Sequence, residues 1–421
     1  MIETTQILPG VTLRVFRDTR FKQGCLSFQF VRNMDPAEAH LNALLPSVML
    51  RATLPHPDMR SISQHLENLY GVTLGALVRR IGDYQTVGFY CSFMDDRFAL
   101  ENESVLAGVL AFLEETLTQS PLRDGGFLPD LTESEKKNLI ATIESELNNK
   151  GAYAMGKLLK SMCRGDTFGL PRLGEKENVA KIDPRELYEH YLRVRRESPL
   201  EIFYVGSGDS GEIARLLKSM VEKWDRSYVN RKPQTGFSPV EGRHFSESMD
   251  IAQGKLCMGF TTPITNRDPE FPAMQVLNTL FGSGMTSKLF MNVREKMSLC
   301  YSVGSSYYGS KGIMTVSAGI DFEKETAARE EILRQLELCK SGQITDIELT
   351  AAKEAIRSSL RATHDTPGAI ESYYATTALS GMPLNPAKYM EALDRLTREE
   401  VVAAANTITY HSSFFLKGVD A

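Results

Sequence analysis

Seven histidines are the first candidates for chemistry in this 421-residue chain: His40, His56, His65, His190, His244, His364 and His411. A zinc site on a helix needs ligands four residues apart, so that two imidazoles share one face and converge at about 2 Å from the metal. Neither His-Glu-x-x-His nor its inverse, His-x-x-Glu-His, occurs. The nearest approach, His244-Phe-Ser-Glu247, is followed by Ser248 and reads as an exposed linker segment. His56 and His65 have a spacing that fits no metal template. Gly282-Ser-Gly-Met-Thr-Ser-Lys288 lacks the adjacent Gly-Lys of a phosphate loop, follows a helical stretch, and reads as a connection. In Gly206-Ser-Gly-Asp-Ser-Gly211 no serine stands midway between two glycines with one spacer on each side, as a nucleophile elbow requires. Glu133, Glu135, Glu144 and Glu146, interleaved with Lys136 and Lys137, read as a solvated helix face. The six cysteines, Cys25, Cys91, Cys163, Cys257, Cys300 and Cys339, form no Cys-x-x-Cys pair and suit buried free thiols in a reducing compartment. Composition and spacing alone reveal no catalytic centre.

The elements that would have to position any site are clearer. Val11–Phe16 and Cys25–Phe30 alternate apolar and polar residues and read as strands. Asp35-Pro-Ala-Glu38 opens a helix to about Ala52, with Asp35 as N-cap and Pro36 at the first helical position. Ser61–Leu69 is helical, Val72–Arg79 and Tyr84–Phe93 form a hairpin around Gly82-Asp83, and Ala99–Leu117 is a long helix. Thr132–Asn149, Ala152–Cys163 and Pro184–Arg195 are further helices, and Leu200–Val205 is a strand. After a loose polar stretch the order recurs. Lys255–Phe260 is a strand, Pro269–Phe281 and Thr286–Glu295 are helices, and Cys300–Tyr307 and Ile313–Ile320 form a hairpin. Helices at 324–340, 346–361, 367–380 and 397–407 and a strand at Phe414–Gly418 complete the chain.

Leu26 overlays on Leu256 and Gly71 on Tyr301, both at a shift of 230, and Phe93 on Ile320 at 227. A shift this steady indicates a duplicated unit. The expected fold class is α+β: two tandem homologous domains, each a mostly antiparallel sheet with helices on one face. The expected partition is 1–225, a linker at 226–247, and 248–421. Lys and Arg number 48 against 53 Asp and Glu, a net charge of −5, so no basic surplus exists for nucleic acid. No apolar run approaches the ~20 residues of a membrane span. The start, Met1 to Gly10, lacks a basic and an apolar leader region, which points to the cytoplasm.

The segment Leu277-Asn-Thr-Leu-Phe-Gly-Ser-Gly-Met-Thr-Ser-Lys-Leu-Phe-Met-Asn-Val-Arg-Glu-Lys-Met-Ser-Leu-Cys-Tyr-Ser-Val-Gly-Ser-Ser306 resembles the C-terminal half of the pitrilysin/insulinase-type (inverzincin) zinc peptidases, the processing peptidases among them. Their pattern is a helix, a Gly-rich loop, a helix with small-Ser-Arg/Lys-Leu, an Arg, then Gly/Ser-Leu-x-Tyr-Ser-Val. Gln253–Phe260 is similar to the strand that opens that half. The resemblance covers nearly the whole chain and is strongest over 250–320. It implies that the two domains form a half-clamp.

In that family the first half carries His-x-x-Glu-His about ten residues before a Gly-Thr. Counting back from Ala52-Thr53 places the two His positions at Ala43 and Ser47 and the Glu position at Pro46. A catalytic zinc needs three protein ligands. The resemblance therefore implies a chain with no cofactor of its own, inactive alone. Arg294 and Tyr301 fall on the family's Arg/Tyr motif. By that resemblance they act in trans on a partner's zinc centre, Arg294 holding a substrate carbonyl and Tyr301 donating to the oxyanion. The resemblance also assigns Gly282 and Gly284 to a substrate-guiding glycine loop. It assigns Leu74, Gly75 and Ala76 to a sheet edge that takes up a peptide as an added strand, with Gly75-Ala76 standing where the family has Asn-Ala. The implied partner is a homologous, zinc-bearing peptidase subunit in a heterodimer, or a second copy in a homodimer, and the implied substrate is a peptide. The alternative is a non-enzymatic peptide-binding or scaffold protein of the same fold. The two separate on whether Arg294 and Tyr301 face open space or are packed away. An independent metallopeptidase with another ligand set is the third reading.

Overall fold

The computed structural model describes residues 2–100, 103–232, 239–382 and 385–419. It is a mixed α+β protein built on two sheets. The first contains β1 (Ile2–Leu8), β2 (Val11–Arg17), β3 (Gln23–Asn33), β4 (Thr73–Ile81), β5 (Tyr84–Met94) and, beyond the two-residue ribbon β6 (Leu122–Arg123) and β7 (Gly126–Phe127), β8 (Leu200–Gly206). Its order is β1-β2-β8-β3-β5-β4, antiparallel throughout except for the β2–β8 pair. The second contains β9 (His244–Ser248), β10 (Gly254–Thr261), β11 (Ser302–Tyr308), β12 (Ile313–Ile320) and β13 (Thr409–Lys417), in the order β11-β12-β10-β13-β9, with only β13–β9 parallel.

Register explains the cores. Leu26 stands between Cys91 and Tyr204, Phe28 between Phe89 and Ile202, and Phe30 between Val87 and Leu200. Because side chains alternate across a strand, all nine share one face, and they bury against helices Ala39–Met49, Val105–Thr118, Pro184–Glu197 and Ser210–Val221. In the second sheet Leu256, Met258, Phe260, Met314 and Val316 do the same against Phe271–Phe281, Glu325–Lys340 and Arg398–Asn406.

The opposite faces of the two sheets are covered in part as well. In β3 the polar residues Ser27 and Gln29 are fully buried. Helix Pro367–Ser380, from the second half of the sequence, covers them, with Glu371 accepting from Ser27 Oγ (2.6 Å) and Gln29 Nε2 (3.1 Å). Reciprocally, helix Lys150–Met162 from the first half packs Ala154 and Leu158 against Cys257, Phe414 and Leu416 of the second sheet. The chain accordingly divides into two units. One is Met1–Glu144, Pro171–Pro233 and Thr363–Leu379; the other is Ser145–Leu170, Gln234–Ala362 and Ser380–Ala421. Each unit thus takes in a segment that the 1–225 and 248–421 partition gives to the other.

Of the 226–247 linker, residues 233–238 lie outside the described residues. Its last four residues form most of β9, paired in parallel with β13, so His244 is a strand residue. β1 carries no apolar alternation because it is a largely exposed edge, and only its pairing with β2 makes it a strand. The first helix begins at Ala39 rather than Asp35. Asp35 instead caps a preceding turn, its Oδ1 accepting from Ala37 N (2.8 Å). Among the described residues no helix is long and apolar enough to cross a membrane.

Candidate functional site

In the first unit the three positions matched to a zinc motif lie on helix Ala39–Met49. Ala43 and Pro46 are buried and Ser47 is half-buried. Pro46 has no N–H to give Asn42 O, yet the helix continues, and Leu50 N bonds back to Pro46 O. The fully buried polar side chain on this helix is Asn42. Its Nδ2 donates to Gln85 Oε1 (2.8 Å), and its Oδ1 accepts from His190 Nε2 (2.7 Å). Arg193 donates to His190 Nδ1 (3.2 Å), which fixes a neutral imidazole. Burial lowers the His190 pKa to about 3. The helix carries a packing network. Zinc does not fit positions 43, 46 and 47, which offer one hydroxyl and neither imidazole nor carboxylate. Among the described residues no three His, Cys, Asp or Glu side chains are grouped so as to hold a metal ion.

The first unit also holds β4, an edge strand. Gly75 and Ala76 are exposed and Leu74 is half-buried against the core. Arg79 reaches Glu371 with two 2.8 Å bonds. Glu371 has a fully buried side chain and gathers Arg79, Ser27 and Gln29 at one point. It is the residue that sequence reasoning missed. Its one signal is that it is the single charged residue of the segment Pro367–Ser380. His56 and His65 also meet, with ring centroids 4.6 Å apart, and His56 Nδ1 lies 2.7 Å from Glu115 Oε1.

In the second unit the chain from 282 to 302 builds the corner that carries Arg294 and Tyr301. The expected helix at 286–295 is a π-helical stretch, Leu289–Lys296. Met297 N bonds to Asn292 O across five residues, a spacing frequent at functional sites. Ser298, in the left-handed region at φ 50°, ends it, and Tyr301 N is pinned to Gly319 O at 2.8 Å. The two glycines differ. A Cβ on Gly282 would lie 2.7 Å from Ser305 Oγ and 2.8 Å from Leu289, so packing demands this glycine. Gly284 has nothing within 4 Å.

Arg294 and Tyr301 line one open cleft of about 430 Å³, together with Cys300, Asp321 and Lys324. The Arg294 guanidinium stacks on Phe290 at 4.7 Å and comes no closer than 3.6 Å to Glu295, so it makes no hydrogen bond among the described residues. Tyr301 is 60% exposed, and its hydroxyl donates to Asp321 Oδ1 at 2.7 Å. That bond holds the phenol above its ordinary pKa. Asp321 is itself held below the usual carboxylate range by Lys324 at 2.8 Å, and then by Tyr301. Burial pushes the neighbouring Cys300 thiol up to about 11, against the pull of Arg294. The corner thus offers a guanidinium with unused donors beside a phenol that already has an acceptor. Such a pair is suited to an oxygen-rich ligand that competes for the Tyr301 proton.

Comparisons with known proteins agree along the whole chain. Residues 181–356 match the sequence profile described as peptidase M16 inactive domain. "Probable inactive metalloprotease YmfF" of Bacillus subtilis (strain 168) is 27% identical over 411 residues, covering 98% of this chain and 96% of that protein. The crystal structure of a conserved protein from Enterococcus faecalis V583 superposes with a TM-score of 0.92 at 26% identity, covering 100% of this chain and 99% of that one. The crystal structure of a peptidase M16 inactive domain from Pseudomonas fluorescens does so with a TM-score of 0.81 at 17% identity, covering 99% and 98%.

Proposed function

From the similarity to the peptidase M16 inactive domain, the relationship its 277–306 segment points to, we propose that this chain is an inactive-type member of that family and serves as the accessory subunit of a heterodimeric zinc peptidase. A homologous partner chain supplies the zinc centre. This chain supplies Arg294, to hold a substrate carbonyl, and Tyr301, to donate to the oxyanion that forms when zinc-bound hydroxide attacks. The peptide is taken up in extended form along the β4 edge at Leu74, Gly75 and Ala76. We place the pair in the cytoplasm. The observation that carries the reading is that Arg294, on the π-helical stretch, and Tyr301, in the bend just before β11, line one open cleft with the guanidinium free of hydrogen bonds among the described residues.

The second reading, a non-enzymatic peptide-binding or scaffold protein, is favoured by the Tyr301–Asp321 bond, which occupies the hydroxyl proton that catalysis would need. One experiment separates them. The chain is co-purified with the product of a neighbouring gene that encodes His-x-x-Glu-His. Peptide cleavage is then assayed for each chain and for the mixture, with and without chelator. Cleavage by the mixture alone, abolished by chelator, supports the accessory subunit. A partner chain as active alone as in the mixture supports the scaffold.

A further inference from the structure

The β4 hairpin fixes which main-chain groups face outward. β4 turns into β5 through Gly82-Asp83, with Ile81 opposite Tyr84 as the closing pair. Counting back from that pair, Arg79, Leu77, Gly75 and Thr73 direct their N–H and C=O toward β5, and Arg80, Val78, Ala76 and Leu74 direct theirs outward. The contacts agree: the Val78 carbonyl accepts from Arg172 Nη1 at 3.0 Å. On the same half of the strand Arg79 is drawn to Glu371, and Arg80 Nε turns back onto Gly82 O. Exposure follows suit, with Thr73, Gly75 and Ala76 exposed and Leu77 to Ile81 covered or half-covered. Leu74 and Ala76 are left with outward main-chain groups that no described residue bonds.

Gly75 lies between them. Its backbone is outside the left-handed region, and a Cβ there would have nothing within 4 Å, so the fold itself does not require glycine. Across the ladder stands Tyr90, on the same face. A strand added along β4 places one side chain beside Gly75 on that face. With no Cβ in the way, a flat ring can lean over the glycine toward Tyr90, the cover that edge glycines accept from aromatic neighbours. Resting on the peptide-binding reading above, we propose that this edge selects an extended peptide of about three residues with a central aromatic side chain. Leu74 and Ala76 pair with its backbone, Gly75 leaves room for the ring, and Arg172 ends the strand by occupying Val78.

The test is residue-resolved hydrogen exchange of the full chain with and without millimolar oxidised insulin B chain, an unstructured peptide rich in Phe and Tyr. The expected result is exchange slowed about tenfold at the Leu74 and Ala76 amides and unchanged at Val78 and Arg80. Gly75→Val, which adds a good strand former in open space and should keep the thermal midpoint, is expected to abolish the slowing. Arg172→Ala is expected to extend it to Val78. Even slowing from 74 to 80 in the parent chain, or slowing that survives Gly75→Val, overturns this inference and leaves strand uptake standing. No slowing at any of the four amides overturns strand uptake as well.

Discussion

The two repeats contain the same corner, put to different use. At a shift of 230, helix Met59–Asn68 overlays on the π-helical stretch Leu289–Lys296, and Gly71 on Tyr301. Both corners pass through a left-handed residue, Tyr70 (φ 62°) or Ser298 (φ 50°), and both enter the edge strand of their sheet, β4 or β11. In the first corner the tyrosine is spent on structure, its hydroxyl donating to Glu103 at 2.6 Å and accepting from Leu100 N. In the second, Arg294 and Tyr301 stand over a cleft. The edges differ in the opposite sense. β11 is held from outside by Ser305 N on Gly282 O (3.0 Å), whereas β4 is open at Leu74 and Ala76. Duplication supplied one geometry. The first repeat has kept an open backbone edge, and the second has kept polar side chains.

The comparison breaks most visibly at Glu371, the charge that fixes β4 from behind. Glu371→Ala leaves Ser27, Gln29 and Arg79 facing an uncompensated burial, and a loss of about 3–5 kcal/mol is expected. Urea denaturation measures it, and a loss near zero would mean that the polar face of the first sheet is not locked. Tyr301→Phe should leave the thermal midpoint unchanged and lower turnover of the assembled pair about 100-fold. Unaltered turnover would reduce the second corner to the structural status of the first.

A pH series sharpens the claim that helix Ala39–Met49 now serves packing. His190 drops from 6.5 to about 3 on folding. The unfolded chain therefore binds the extra proton between those values, and stability is full above pH 6.5 and falls as pH is lowered through the window, by about 1.4 kcal/mol per unit for this one group. His190→Asn should remove that slope in denaturation curves taken from pH 7 to 5, and an unchanged slope would place the titration elsewhere. Last, Gly282→Ala is expected to cost about 1 kcal/mol or more by overpacking against Ser305 and Leu289, while Gly284→Ala is near neutral. Equal effects would show that the two glycines are not divided between packing and open loop.

Much of this was legible in the residues. Period-two alternation located β2 and β3, whose apolar residues meet a helical layer. The steady offset between halves pointed to a duplication, and the 277–306 segment carried enough contiguous pattern to show the resemblance that the match over residues 181–356 repeats. Ala43, Pro46 and Ser47 could be read as unable to hold zinc without any coordinates, since ligand chemistry is a property of residue type.

Other features depended on partners distant in sequence. β1 and β9 carry no alternation, and hydrogen bonds to β2 and β13 alone make them strands. Ser27 and Gln29 are the polar positions of the β3 alternation and are buried, because Glu371, some 340 residues later, brings its own helix and carboxylate to them. The same holds for the capping of Val78 by Arg172. Residue type fixes what a side chain is able to do. Which groups it meets is decided by long-range pairing, and no local periodicity encodes that.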